Sequence, residues 1–124
     1  MIVVATDAPI DARDLRRVAA RAVFALARTG SSFSNGSGDF AIAFTTSPEL
    51  RVKVGGGELP RRAILPTDAV SPIFQATLEA TEEAVYNSLL QATKVSNRKF
   101  QGVEIDAIPV DRVLQILKKY SLGN

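Results

Sequence analysis

Apolar positions change their spacing near the start of the chain. Residues 1–6 form a short β-branched run that Asp7-Ala8-Pro9 closes, a pattern typical of a buried strand ending in a turn. From Asp11 the apolar positions recur at helical spacing, which predicts a helix that Asp11 caps and Gly30 ends. The apolar positions of this helix are Leu15, Val18, Ala19, Ala22, Val23 and Leu26.

Residues 31–38 are almost entirely Ser, Gly and Asn, which predicts a loop, and a second strand is predicted over residues 39–46. In this strand Phe40, Ile42 and Phe44 alternate with alanines, so one face is bulky and the other small, and both are apolar. Such a strand is expected to have helices on both sides of its sheet. Because the chain offers few helices, we expect it either to oligomerise or to leave an apolar patch exposed.

The residue pattern in the rest of the chain predicts helices joined by less regular segments. Val52 and Val54 form a strand-like run, followed by glycines at 55–57 and a turn at 60–62. Ser71-Pro72 opens a long helix to about Ala92, and residues 102–108 read as a short strand or extended link. The buried stripe of the long helix is predicted to include Phe74, Leu78, Val85 and Leu89. A final helix is predicted after Pro109, with Val110, Val113, Leu114, Leu117 and Tyr120 on one side and Gly123 as its end. The order predicts one α+β domain over residues 1–124.

The composition excludes familiar catalytic groups. The chain of 124 residues is 46% hydrophobic and 23% charged, enough to bury a core, and it contains no Cys and no His. Without cysteine there is no thiolate nucleophile and no disulfide framework, and without histidine the Ser-His-Asp triad is excluded. A hydrolase built from this sequence therefore needs a rarer general base. No metal site and no cofactor are expected.

The charge pattern identifies no particular partner. Fifteen basic and thirteen acidic residues give a formal charge of +2, and the arginines at 13, 16, 17, 21 and 28 fit the solvated face of a helix better than a nucleic-acid site. The apolar runs are too short to cross a bilayer, and the first residues do not resemble a signal peptide, so we expect a cytoplasmic protein that binds neither membrane nor nucleic acid.

The Ser/Gly loop is the strongest candidate for chemistry. If the second strand begins near Ser37, then Ser37 and Asp39 project to the same side and bring a hydroxyl beside a carboxylate, a pair that can orient or relay a proton. The glycines allow backbone N–H groups to approach an anion or oxyanion. The alternative is a structural turn between helix and strand.

Polar residues elsewhere are interpreted mainly as structural. Glu79, Glu82 and Glu83 share part of one helix face and favour a solvated surface over a cation site. Asn87, between Tyr86 and Ser88, interrupts the long helix with polar groups that either hydrogen-bond to a neighbouring loop or subunit or line a substrate pocket.

Four segments, read together, resemble the β chain of the L-aminopeptidase/D-esterase family, which includes the β-peptidyl aminopeptidases and resembles the nylon-oligomer hydrolases. They are VVATDAP (3–9), ARTG (27–30) leading into SNGSGD (34–39), ATEEAVYNSL (80–89) and IPVDR (108–112). The likeness spans nearly the whole chain in order. It implies a layered αββα sandwich and a precursor that cleaves itself into an α and a β chain.

The resemblance also implies a mechanism that needs no histidine. The new N-terminal Ser or Thr of the β chain is the nucleophile, and its free α-amine, with a pKa of about 8, accepts the hydroxyl proton. Ser37 matches the assisting hydroxyl and Asp39 the acidic position, where several relatives carry Glu. Asn35, Gly36 and Gly38 fall in the loop expected to face the substrate or oxyanion. The expected partners are the α chain, further copies in an oligomer, and a peptide or amide substrate.

One position of the family pattern has no counterpart in the sequence. In the family the nucleophile lies one or two residues before the strand that here starts at Met1, and a thioether cannot replace it. We therefore expect the sequence to be a β-chain fragment without its first residue or residues, a product of translation from an internal start, or a degenerate lone subunit. The functional alternative is a non-catalytic α+β domain that oligomerises or docks a partner.

Overall fold

A computed structural model describes residues 1–52, 54–55, 61–97 and 102–120. The strands are β1 (Ile2–Thr6), β2 (Ala41–Thr45), β3 (Val95–Asn97) and β4 (Val103–Ile105), and the helices are α1 (Ala12–Arg28), α2 (Ser71–Leu90) and α3 (Val110–Lys119). The chain divides into two compact units, Met1–Glu83 and Ala84–Asn124. Along the chain the order is β1, α1, β2, α2, β3, β4, α3, and this mixture of helices and strands confirms the α+β class. A single domain over residues 1–124 stays a prediction.

The first unit is built on a parallel pair of strands joined through α1. β1 pairs with β2 in a register that runs from Ile2 opposite Ala41 to Thr6 opposite Thr45. The backbone N–H of Ile2 donates to the carbonyl of Phe40 at 2.8 Å, so the pairing begins just before β2. The second strand therefore starts at Ala41, two residues later than the predicted start at Asp39.

Both ends of α1 follow from local sequence signals. The Asp11 carboxylate accepts a hydrogen bond from the backbone N–H of Asp14 at 2.8 Å, which satisfies one of the free donors of the first turn. At the other end Thr29 caps the helix, and Gly30 adopts φ of +92°, a conformation that favours glycine. The predicted start and end of this helix are confirmed.

The core of the first unit lies on one face of the sheet. Ile10, Val18 and Val70 are fully buried, and Val4 and Ala43 pack against them from the inner face of the sheet. On the outer face Val3, Ile42 and Phe44 remain 56%, 54% and 45% exposed. Within the described residues α1 and the start of α2 cover only the small-residue face of β2, so this chain alone does not supply helices on both sides of the sheet. The bulky face forms the expected exposed patch.

The buried face of α2 differs from the predicted stripe. Its most buried side chains are Thr77 and Thr81, whereas Phe74, Leu78 and Val85 are half-buried and Leu89 is exposed. Small residues of α2 face β1 across a cavity of about 160 Å³. The Thr77 hydroxyl is accommodated there because it donates to the carbonyl of Ile73 at 2.7 Å, within its own helix.

The second unit contains a short antiparallel hairpin and α3. β3 pairs with β4 from Val95 opposite Ile105 to Asn97 opposite Val103, and Lys94 bridges to Glu104 at 2.6 Å. The sequence predicted the extended segment at β4 but missed β3. The final helix begins after Pro109 as predicted, although Val110, Leu114 and Tyr120 of its apolar side are exposed.

Some predictions concern residues 52–60, the end of the final helix and the length of the helices. Val52 and Val54 are exposed and lie in no strand, while residues 53 and 56–60, with most of the predicted glycine and proline turns, lie outside the described residues. The predicted helix end at Gly123 also lies outside them. In the part of the chain that the structure describes, no helix has the length and apolar character needed to cross a membrane.

Candidate active site

The loop between α1 and β2 is anchored at both ends. At its start the backbone N–H of Ser31 donates to the carbonyl of Leu26 at 3.2 Å, and the Thr29 hydroxyl donates to the same carbonyl at 2.9 Å. At its end the carbonyl of Phe40 accepts the N–H of Ile2. The intervening residues are exposed, so the loop presents its polar groups to solvent between two fixed points.

A tight turn at residues 34–37 shapes the centre of this loop. The backbone N–H of Ser37 donates to the carbonyl of Ser34 at 3.0 Å, with Asn35 and Gly36 between them. Gly36 has φ of +95°, which an L residue adopts only with strain. The turn therefore favours glycine at position 36.

Ser37 and Asp39 form the hydroxyl–carboxylate pair that the sequence predicted. The Ser37 Oγ donates to Asp39 Oδ2 at 2.7 Å, and both side chains are exposed. A hydrogen bond to a carboxylate is short and strong, so Asp39 orients the Ser37 hydroxyl and leaves the Oγ lone pairs available to accept a proton. The geometry allows this pair to orient or relay a proton, and its use in catalysis stays a prediction.

The pair lies at the edge of the sheet where both strands begin. Parallel strands start at the same edge, and the register brings the start of β1 beside the residues that precede Ala41. Ser37 and Asp39 lie three residues and one residue before Phe40, whose carbonyl accepts the N–H of Ile2, so the loop that carries them leads into the starting edge of the sheet. The candidate site is built from the Ser/Gly loop and the beginning of β1.

Two other loop residues differ from expectation. Gly38 has no left-handed φ, and a Cβ added to it would lie 3.4 Å from the Phe40 ring, an ordinary contact, so glycine is less necessary there than at Gly36. Phe33 adopts φ of +48° and is 43% exposed, while its N–H donates to Ser31 Oγ at 3.4 Å. The sequence carries no signal for an aromatic residue in this conformation.

The acidic residues of α2 do not share one environment. Glu82 is half-buried and pairs with Arg28, the last residue of α1, with Nε and Oε2 3.2 Å apart, so its assignment to a solvated surface is wrong. Glu79 and Glu83 are exposed as predicted. Among the described residues, no three His, Cys, Asp or Glu side chains are placed to hold a metal ion.

The remaining polar candidates lie away from this loop in sequence. Asn87 is exposed near the end of α2 and belongs to the unit Ala84–Asn124, and its role in a pocket or in structure stays a prediction. Thr6 forms the predicted strand-end turn, because its Oγ1 accepts the N–H of Ala8 at 3.1 Å.

A buried carboxylate that the sequence did not single out organises α1. Asp14 is 1% exposed, and it accepts hydrogen bonds from Arg17 Nη1 at 2.7 Å and Thr67 Oγ1 at 3.1 Å. The hydrogen bond from Arg17 is the main cause that lowers the pKa of Asp14. Arg17 and Arg21 also stack on the Phe74 ring at 4.7 and 4.2 Å, so these two arginines are half-buried rather than solvated. The Asp-x-x-Arg spacing at 14–17 was the available signal.

The sequence matches a known protein family over most of its length. Residues 1–103 match peptidase family S58. The chain is 38% identical over 120 residues to the β-peptidyl aminopeptidase BapA of Sphingosinicella microcystinivorans, covering 97% of this chain and 30% of that protein. It spans about 30% of the length of the curated relatives that it matches.

Solved structures of similar proteins share the fold of this chain. The PH0078 protein of Pyrococcus horikoshii OT3 is 44% identical with a TM-score of 0.83, covering 97% of this chain and 33% of that one. The L-aminopeptidase D-Ala-esterase/amidase of Ochrobactrum anthropi is 28% identical with a TM-score of 0.82 and the same coverage. The latter is a serine aminopeptidase and a variant of the Ntn hydrolase fold.

Proposed function

The chain belongs to peptidase family S58, and on that premise we propose that it forms the β-chain portion of an aminopeptidase or amidase. The complete enzyme hydrolyses N-terminal amino acids from peptides, amides or esters. The observation that carries this proposal is the Ser37–Asp39 hydrogen bond of 2.7 Å at the starting edge of the β1–β2 sheet. A serine with a carboxylate is a relay that works without histidine, which the sequence lacks.

The strand register supports a nucleophile directly before β1. Ile2 pairs with Ala41, so extending the register backwards sets Met1 beside Phe40 and the position before Met1 beside Asp39. A Ser or Thr at that position would have the Ser37–Asp39 pair as its neighbour. Its free α-amine, exposed after cleavage of the precursor, would serve as the general base.

The reaction then proceeds through an acyl-enzyme. The nucleophile oxygen attacks the substrate carbonyl carbon while its proton moves to the α-amine, and the C–N bond breaks as that proton reaches the leaving amine. Water then attacks the ester carbonyl carbon and gives up a proton to the α-amine, and that proton passes to the nucleophile oxygen as the ester C–O bond breaks and the carboxylic acid leaves. Ser37 and Asp39 orient and relay the proton in both steps, and the loop with Asn35, Gly36 and Gly38 faces the substrate or the developing oxyanion.

The partners of this chain belong to the same proposal. The matched relatives are about three times as long, which supports an α-chain region that precedes this portion in one precursor. That region supplies the rest of the substrate pocket, with Asn87 as a candidate contribution from this chain. Assembly into an oligomer, a peptide or amide substrate and a cytoplasmic location complete the proposal.

The test uses the full-length protein and amino-acid p-nitroanilides as substrates. Ser37→Ala and Asp39→Asn are each expected to lower kcat by about 100-fold or more, since a positioned acid–base group contributes on that order. Ser32→Ala, a change to another exposed serine of the same loop, is the matched control and should leave kcat unchanged. Intact mass before and after maturation reports whether the precursor has cleaved.

Two results would contradict the proposal. Full activity in both Ser37→Ala and Asp39→Asn would remove the relay from the mechanism. A full-length protein that neither cleaves itself nor hydrolyses any amino-acid amide would favour the alternative, a non-catalytic domain that docks a partner through its exposed sheet face.

A further inference from the structure

An ion pair joins the end of α1 to the middle of α2. The Nε of Arg28, the last residue of α1, lies 3.2 Å from Oε2 of Glu82, and the Glu82 side chain is 26% exposed. Because Glu82 is largely withdrawn from solvent, salt and water screen this pair less than an ordinary surface ion pair. We propose that Arg28 and Glu82 are positioning residues for the Ser37–Asp39 pair, an inference that rests on the proposed function of that pair.

The Ser/Gly loop depends on its two ends for its place in the molecule. Residues 31–40 are all exposed, so no side chain among them anchors the loop in the core. The end of the loop is held where the sheet begins. Its start is bound to the last turn of α1, where the carbonyl of Leu26 accepts the N–H of Ser31 at 3.2 Å and the hydroxyl of Thr29 at 2.9 Å. The position of this last turn therefore sets where the loop begins.

The last turn of α1 lies beyond the buried part of the helix. Ala25 is the last buried side chain of α1, and Arg28 follows it by about one turn. Glu82, in contrast, comes directly after Thr81, which is 5% exposed, so this part of α2 is fixed by packing. A cation is also favoured at a helix C-terminus, where the carbonyls carry partial negative charge. The ion pair thus ties the end of α1, and with it the start of the loop, to a packed part of α2.

The expected effect on the reaction is one of distance. The Ser37–Asp39 hydrogen bond is local, since one residue separates the two, so it forms with or without the ion pair. The ion pair instead sets how far Ser37 and Asp39 lie from the nucleophile proposed to precede β1. A displacement of about 1 Å between reacting groups can lower a rate about 100-fold. Loss of the ion pair should therefore lower kcat more than it changes KM, because the rest of the precursor supplies most of the substrate pocket in the proposed enzyme.

Kinetics of the mature full-length protein test this expectation. Glu82→Gln keeps the size of the side chain but removes its charge, and it should lower kcat per titrated active site about 10-fold with KM changed by less than about twofold. Glu83→Gln is the matched control, because Glu83 is the exposed neighbour on the same helix and its replacement should leave both constants unchanged. A Glu82→Gln enzyme with a lower melting temperature but unchanged kcat would overturn the proposal, since the pair would then only stabilise the fold.

A double-mutant cycle tests whether the two residues act through each other. Arg28→Gln combined with Glu82→Gln should lower kcat no more than either change alone, because each single change already breaks the pair. Arg28→Lys keeps the cation and should retain more activity than Arg28→Gln. Losses that multiply in the double variant would contradict the proposal.

Amide hydrogen exchange separates this inference from the proposed function. Without the ion pair the last turn of α1 should open more often, so the amides of Thr29 and Ser31, which bond to the carbonyl of Leu26, should exchange about 10-fold faster or more in Glu82→Gln. The amide of Thr46, bonded to the carbonyl of Thr6 in the sheet, is the internal control. Faster exchange at Thr29 and Ser31 in a protein without amidase activity would support the tie and contradict the enzyme. An active amidase in which neither kcat nor these two amides respond would keep the proposed function and overturn the inference.

Discussion

Asp14 is a buried charged residue of the first unit. Its carboxylate is buried and accepts hydrogen bonds from Arg17 and Thr67, and the Arg17 interaction holds its pKa below the usual value of 3.8. A carboxyl group with a lowered folded-state pKa contributes stability above its unfolded pKa. That contribution is lost as the pH falls through the folded pKa, so acid should weaken the fold through this residue.

The corresponding variant is Asp14→Asn. Its melting temperature at pH 7 should be several degrees lower, because the charged hydrogen bond to Arg17 is lost. The difference from the unchanged chain should shrink as the pH falls below about 4, where the unchanged chain begins to lose the same contribution. Thermal unfolding followed by circular dichroism between pH 2 and pH 7 measures this, with exposed Asp68→Asn as the control. A difference that stays constant over this range would exclude the electrostatic explanation.

Gly36 and Gly38 flank Ser37 and form a matched pair for a backbone test. Gly36→Ala forces an L residue into φ of +95° and should destabilise the protein by about 1–2 kcal/mol. Gly38→Ala places its methyl group in ordinary contact with the Phe40 ring and should change stability by less than about 0.5 kcal/mol. Urea unfolding of both variants gives the comparison. Equal losses in the two would mean that the turn does not depend on the left-handed residue.

At the scale of elements, local signals account for what the sequence could predict. The start and end of α1 follow from Asp11 and Gly30, each of which acts within a few residues of the helix terminus. The contact between Ser37 and Asp39 was predictable for the same reason, since only one residue separates them. Neither required knowledge of what lies across the sheet.

Elements whose environment is set by distant residues could not be predicted in the same way. Thr77 lies on the wall of a cavity whose opposite wall is β1, so its burial depends on residues far away in the sequence. β3 is short, and it is recognisable only through its pairing with β4. The partial burial of Glu82 likewise depends on Arg28, more than fifty positions earlier in the chain.

At the scale of the whole molecule, the outer face of the β1–β2 sheet exposes several large apolar side chains. Val3, Ile42 and Phe44 lie on this face, and the adjacent Phe40 is 69% exposed. A contiguous patch of large apolar side chains is expected to be covered in a functional protein, by the proposed α chain or by another copy. Among the residues that the structure describes, no further strand pairs with β2, so the sheet edge and the apolar face both favour a chain that functions within a larger assembly.

The exposure of this apolar face predicts that the 124-residue chain, produced alone, associates with itself. Replacing Ile42 and Phe44 together by Thr keeps good strand formers in β2 but removes two large apolar side chains from this face. It should weaken self-association at least about tenfold, or by about 1.4 kcal/mol. Val54→Thr is the matched control, because Val54 is fully exposed outside the sheet and its replacement should have no effect. Sedimentation equilibrium measures all three chains. An unchanged chain that stays monomeric at high concentration would contradict the prediction, and equal weakening by Val54→Thr would show that association does not use this face.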